Sequence, residues 1–385
     1  MTQFLNNIDS KLPNVQTSIF AVMSKLAFEN NAINLSQGYP DFKSDPQLIK
    51  LVNQAMVDGK NQYAPMPGVF GLRTQIANKI ELLYNAKYNP ENEITITAGA
   101  TQAIFTVLAA SIHKGDEVIV FKPAYDCYEP AIKLFGGKPI TIQLDPETFK
   151  VDWDMVKMLI SSKTKMIIIN TPHNPSGAVL SKSDMLELEK LLINTNILLL
   201  SDEVYEHIIY DGEEHQSAAL FPGLAERAFI TASFGKTFHN TGWKMGYCLA
   251  PAALMKEFQK VHQYNVFSVN HPMQVALETY LKTPNNYLKL GGFYQQKRDL
   301  FLDLMKDSRF EFKPSKGTYF QLMNYKNISV ERDVDFAKRL IKEIGVASIP
   351  VSVFNDDNLD TKVLRFCFAK SDDTLKKAAE ILCKI

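Results

Sequence analysis

Cysteine and tryptophan are scarce in this 385-residue chain, which has four of the first and two of the second. Cys127, Cys248, Cys367 and Cys383 show neither the CxxC spacing of a zinc or redox site nor the pattern of a disulfide framework. They read as reduced thiols of a cytoplasmic protein. Neither sign of charge is in excess. Lys+Arg and Asp+Glu are both 42, so no global field attracts nucleic acid or an anionic membrane. Long apolar runs are missing as well: "MIIIN" and "ILLL" fall far short of a bilayer span. The opening "MTQFLNNIDSKLPN" lacks the cationic and apolar succession of a signal peptide. No GxGxxG occurs, which argues against a dinucleotide site. Repeats, low-complexity segments and Gly/Ser-rich linkers are also absent from the sequence.

What is present is an ordinary globular composition, 46% hydrophobic and 22% charged, over a length that accommodates two domains. Short β-branched runs recur at 93–99, 117–123, 138–144, 166–172, 197–203, 228–234 and 245–251. Most are nearly continuous in apolar residues, as strands covered on both faces must be. Helix-like stretches lie between several of them: "TQAIFTVLAASIH", "DWDMVKMLISS" and "SKSDMLELEKLLIN", the last with a serine cap and early acids. The alternation predicts an α/β doubly wound sheet. After Pro251 a long helical stretch leads to "KGTYFQLMNY", "VASIPVSVF" and "VLRFCFAK", which read as strands of a smaller α+β domain.

Ligands of such sheets bind beyond the carboxyl ends of the strands. The residues standing there are Ala100-Thr101-Gln102, Tyr125, Asn174, Asp202 with Tyr205, and Lys236. Small Gly99 and Ala100 before a helix start suit an anion, and equally an ordinary turn. Asp202 ends an apolar strand, where a carboxylate needs a cation or several donors; a core salt bridge meets that need as well. The segment "SFGKTFHNTGWKMGY" carries Lys236 and Lys244 with no acid between them. A lysine without an acidic neighbour in an apolar pocket loses ammonium stabilisation and becomes nucleophilic, whereas on a surface it merely snorkels. Ser233, Lys244 and the 99–102 turn together offer donors to a phosphate. "DEVYEH" sets acids beside His207 but has no HExxH helix or second nearby histidine, so a metal site is not expected.

These residues sit in segments whose order resembles one family. "INLSQGYPDF", "QYAPMPGVFGLR", "TAGATQAIF", "PAYDCY", "NTPHNPSG", "SDEVYEHI", "SFGKTFHNTGWKMGY" and "LRFCFAK" run from Ile33 to Lys370. They resemble the fold-type I, class I/II aminotransferases dependent on pyridoxal 5'-phosphate, and within them the methionine aminotransferases and the kynurenine and glutamine transaminases. The resemblance implies that Lys236 bonds the cofactor aldehyde and shuttles the substrate proton. It implies that Asp202 pairs with the pyridine N–H, that Tyr205 and Asn174 hydrogen-bond the ring hydroxyl, and that Tyr125 stacks on the ring. Ala100, Thr101, Gln102, Ser233 and Lys244 are implied around the phosphate, with Tyr63 reaching in from a neighbouring subunit. Arg365 is implied as the two-pronged partner of the substrate carboxylate, and Gly38 as a close backbone approach. His173 is read as structural, and the Asn174–Pro175 bond is expected cis.

Family members that act on dicarboxylates commonly place an arginine near this chain's "NVFSVNHP", where Phe267, Val269 and His271 stand instead. With Phe20, Tyr39 and Tyr125 the pocket reads as apolar and permissive. The expected donor is methionine, then leucine, phenylalanine, tyrosine, kynurenine or glutamine, with the amino group passed to a 2-oxo acid by a ping-pong route. A β-lyase acting on cysteine conjugates is the nearer alternative, and a non-catalytic regulator on the same scaffold the distant one. The expected architecture is a large cofactor domain over residues 45–285, with a mostly parallel seven-stranded sheet whose 245–251 strand is antiparallel. A small domain is expected from 1–44 and 286–385. Tyr63 and the 267–271 segment make sense only if sites form between subunits, so a homodimer is expected.

Overall fold

The computed structural model describes residues 9–385. Residues 1–8, which hold the start of the segment read as lacking a signal peptide and the first part of the expected small domain, lie outside the described residues. Twelve strands run along the described chain: β1 Ile33–Asn34, β2 Ile94–Thr97, β3 Glu117–Lys122, β4 Lys138–Gln143, β5 Thr164–Asn170 and β6 Leu198–Asp202, then β7 Ala228–Ser233, β8 Gly246–Leu249, β9 Phe320–Asn324, β10 Val346–Ala347, β11 Ile349–Pro350 and β12 Val363–Cys367. Seven of them form one sheet in the order β2-β8-β7-β6-β5-β3-β4. All the pairings are parallel except those of β8, which runs against both β2 and β7. This is the mostly parallel α/β sheet expected, with the predicted odd strand.

The sheet is held by two apolar layers. Alternate side chains of one strand point to opposite faces, and the cores divide accordingly. Ile119, Ile167, Ile169, Leu199 and Ile230 enter one cluster. Val118, Val120, Ile168, Leu200 and Phe229 enter the other, with the helix Ala100–Ser111. Each such apolar side chain, fully removed from water, contributes about 1.5–3 kcal/mol. The helix Lys182–Leu192 on the sheet's flank carries the expected cap: Ser181 and Asp184 form a reciprocal capping box.

A third core gathers Met23, Ala27 and Leu35 with residues from Leu290 to Leu382, and takes in Tyr205, Ile208 and Tyr210 beside the large sheet. Its framework is the antiparallel set β11-β12-β9, plus a parallel pair of β1 with β10. The N-terminal arm is tied in by backbone bonds from Ile33 N to Gly345 O (2.8 Å) and from Cys367 N to Leu35 O (2.8 Å). "VASIPVSVF" is not one strand. Pro350 has no N–H for a ladder, and Ser352 donates both its N–H and its hydroxyl to Asp333 (2.7 and 2.6 Å), turning the chain. The helical stretch after Pro251 is likewise broken into Ala252–Asn265, His271–Leu281, Asn285–Leu288 and Leu290–Met305. No helix among the described residues is long and apolar enough to cross a membrane.

Candidate active site

The strands of the large sheet deliver their terminal residues to one cavity of about 310 Å³. β2 leads into Gly99 and the helix it opens, β3 into Tyr125, β5 into Asn170 and Asn174, β6 into Asp202 and Tyr205, and β7 into Ser233 and Lys236. β8 is antiparallel, so the residue just before it, Lys244, lies at this same edge. Phe20 and Phe320 of the third core also line the cavity, with Gly38 and Arg365.

The turn at Gly99 has φ 80°, a left-handed value that glycine adopts without strain. It opens the 12-residue helix Ala100–Ser111 with no side-chain cap, leaving its first N–H groups free for a ligand. Lys244 lies against this turn: a β-carbon at Gly99 would stand 3.4 Å from Lys244 Nζ. Gly246 permits the packing, since a β-carbon there would come within 2.7 Å of Ala232 O and 3.1 Å of Ala100 N. Free amides, an ammonium and the Ser233 hydroxyl therefore converge on one end of the cavity, an arrangement suited to a dianion.

Asp202 is buried at the cavity wall. Its Oδ2 accepts from the Tyr128 hydroxyl at 2.6 Å and its Oδ1 from Val204 N–H at 3.3 Å. Burial pushes the carboxyl up to about 6, although the Tyr128 bond pulls the other way. Lys236 Nζ donates to Tyr319 Oη (2.9 Å) and to Gly38 O (3.1 Å). Burial draws its pKa from 10.5 to about 8. Arg365 is almost wholly buried, with its guanidinium 3.8 Å from the Phe320 ring centroid and 5.2 Å from that of Phe20. Nη1 donates to Asn174 Oδ1 (2.8 Å) and Nη2 to Ser36 O (3.0 Å), while Nε has no partner. A buried unsatisfied donor beside a cavity is a place for an anionic guest.

Of the residues singled out in the sequence, Phe20, Gly38, Ala100, Thr101, Tyr125 and Asn174 line this cavity. So do Asp202, Tyr205, Ser233, Lys236, Lys244 and Arg365. Gln102 does not: its amide oxygen accepts from Ala98 N–H and its nitrogen donates to Thr106 Oγ1, folding the side chain along its own helix. Tyr39 is exposed, its carbonyl accepting from Lys370 Nζ. Tyr63 is 80% exposed and stacks edge-to-face on Phe267, also exposed, at 5.2 Å. His173 is buried between Ser176 Oγ and Pro123 O, and its pKa falls to about 4 through burial. The Asn174–Pro175 bond is cis. In "DEVYEH", Glu206 is taken by Lys79 at 2.5 Å and Glu203 by His215 at 2.8 Å.

Four further residues belong to the site and do not stand out in the sequence. Tyr128 holds Asp202, Tyr319 holds Lys236, and Phe320 lies under Arg365. Asn170 donates to Asp202 O and accepts from Asn174 N–H, tying the ends of two strands together. Tyr128, three residues beyond Tyr125 within "PAYDCYEP", is the one whose nearness to a singled-out aromatic offers a signal in the sequence.

Residues 30–382 match the family described as aminotransferase class I and II. The chain belongs to that family. It is 48% identical to methionine aminotransferase of Escherichia coli over 374 residues, 97% of each chain. It is 33% identical to kynurenine–oxoglutarate transaminase of Dictyostelium discoideum over 419 residues, 97% of this chain and 96% of that one. The crystal structure of YbdL from Escherichia coli, identified with a methionine aminotransferase function, superposes with a TM-score of 0.97 at 47% identity, covering 99% and 100% of the two chains. The protein is therefore a pyridoxal-phosphate-dependent aminotransferase of fold type I.

Proposed function

We propose that this aminotransferase takes the α-amino group of an apolar or aromatic L-amino acid, methionine foremost, and delivers it to a 2-oxo acid in two half-reactions at one cavity. The observation that carries the reading is Lys236: a half-buried amine with its pKa drawn to about 8, opening on the same cavity as Asp202 and Arg365. The residues fit pyridoxal 5'-phosphate. Free amides of the helix Ala100–Ser111, Thr101, Ser233 and Lys244 would hold its phosphate, and Asp202 its ring N–H. Tyr205 and Asn174 would hold its ring hydroxyl, and Tyr125 would cover its face. When bound, the cofactor supplies an aldehyde that captures the amino group and a ring that draws off the electrons of the broken Cα–H bond.

The chain's own groups do the rest. Arg365 orients the substrate carboxylate through the donors it presents beside Asn174, with Phe320 and Phe20 fixing the plane of its guanidinium. Lys236 Nζ, neutral in appreciable fraction near neutral pH, removes the proton from the substrate Cα. The cations lining the cavity are Lys236, Lys244 and Arg365, each with one of these tasks. None is left over for a distal carboxylate, and the rings of Phe20, Tyr125 and Phe320 favour an apolar side chain. Such a pocket discriminates by only about 1–3 kcal/mol per methylene, so leucine, phenylalanine, tyrosine, kynurenine and glutamine are accepted too.

The exposed Tyr63–Phe267 pair supports a homodimer in which each chain completes the other's site. The separate cores support a division into a cofactor domain, 45–285, and a small domain, 1–44 with 286–385. Half-reaction rates over a panel of amino acids test the reading. Methionine is expected fastest and aspartate slowest; aspartate turning over fastest would overturn it.

A further inference from the structure

Asp202 belongs to the proposed cofactor anchor, and the role of its nearest neighbour rests on that reading. The strongest partner of Asp202 is a phenol. Tyr128 donates to Oδ2 at 2.6 Å with both groups buried, and charge-assisted bonds of this kind are roughly twice as strong as neutral ones. Burial pushes the Tyr128 hydroxyl well above its ordinary pKa, so it stays a donor. The same ring meets Tyr125 edge-on, with centroids 5.8 Å apart and planes at 81°. One side chain thus touches both the carboxylate and the aromatic face that border the cavity.

We propose that Tyr128 is a positioning residue for the cofactor: its hydroxyl holds one oxygen of Asp202, keeping that buried carboxylate ionised for a ring N–H, while its ring edge sets Tyr125. The other titratable groups around Asp202 are Lys236, Glu203, Tyr205, Tyr125 and Cys127. Of these, only Lys236 favours the charged carboxylate through its own charge. Even with the phenol in place, burial carries the carboxyl up to about 6. Without it the carboxyl moves further up, toward a protonated Asp202 that has no charge to pair with the ring.

Tyr128→Phe keeps the ring against Tyr125 and removes only the donor. Equilibrium dialysis of pyridoxal 5'-phosphate against cofactor-free protein should show the variant binding about tenfold or more weakly at pH 7. The gap should narrow towards pH 9, where both carboxyls are ionised. Curves that coincide or run parallel across this range would overturn the proposal. A second arm leaves the fold untouched: 3-fluorotyrosine placed at position 128 of the cofactor-free protein. Its fluorine resonance should titrate with a midpoint near 6 and lose that step in Asp202→Asn. A resonance that ignores pH overturns the proposal equally. A wild type that takes up no pyridoxal phosphate at any pH brings down the cofactor reading, and this inference with it. A wild type that binds while Tyr128→Phe tracks it brings down the inference alone.

Discussion

Lys236 Nζ lies 2.9 Å from the Tyr319 hydroxyl, which itself donates to Gly38 O. Three distant stretches of chain thereby meet at one amine. No carboxylate lies within salt-bridge distance of it among the described residues, and burial is the largest influence on its charge.

That environment predicts a pH dependence. A lysine at its ordinary pKa of 10.5 is almost entirely ammonium at neutral pH and slow toward an aldehyde, whereas one at about 8 is partly free. The rate at which cofactor-free protein captures pyridoxal phosphate should rise through pH 8 and level off above it. A rise centred near the ordinary lysine value would show that the amine is well solvated instead.

Arg365 should not tolerate lysine. The guanidinium bonds Asn174 and Ser36 at once and keeps Nε free, a fork that an ammonium cannot reproduce. Arg365→Lys is expected to raise the KM for methionine about tenfold or more, with kcat changed less. A KM within about a factor of two of wild type would place the carboxylate elsewhere.

The buried pair Lys79–Glu206, whose acid follows Tyr205 in the chain, is expected to be a stability element. Burial pushes the Glu206 carboxyl up, and the partners around it, Lys79 foremost, more than reverse this and hold it near 2. Tyr84 and Tyr247 also donate to it, at 2.9 and 3.0 Å. Lys79→Met strands that carboxylate and should cost about 3–5 kcal/mol in denaturant unfolding. The sign with pH is that of a depressed acid. The pair's contribution is present above the unfolded carboxyl value of 4.5 and fades as pH falls toward 2. A loss below about 1 kcal/mol would mean that water reaches Glu206.

Much of this was legible from the chain alone, for physical reasons. Strands buried on both faces need continuous apolar runs, so β3, β5, β6 and β7 announce themselves, and their last residues then mark the ligand edge. Asp202 and Lys236 stand out because a charge at the end of such a run needs an explanation. Tyr319, Phe320 and Asn170 did not stand out, because their roles depend on contacts between segments far apart in sequence. Tyr319, for example, reaches Lys236 across 83 residues. Gln102 stands close to Gly99 in the sequence, but its amide is satisfied within its own helix and beside it. Tyr63 and Phe267 are exposed and stacked on each other, and only the homodimer proposed above gives them a place at the site.

The most direct measurement compares wild type with Lys236→Ala, each saturated with pyridoxal 5'-phosphate, following transfer of the amino group from methionine to a 2-oxo acid. The wild type should turn over, and the variant should fall by at least about a thousandfold, having lost both the amine that bonds the cofactor and the base at Cα. A variant that transfers the group as fast as wild type would contradict the account at its centre.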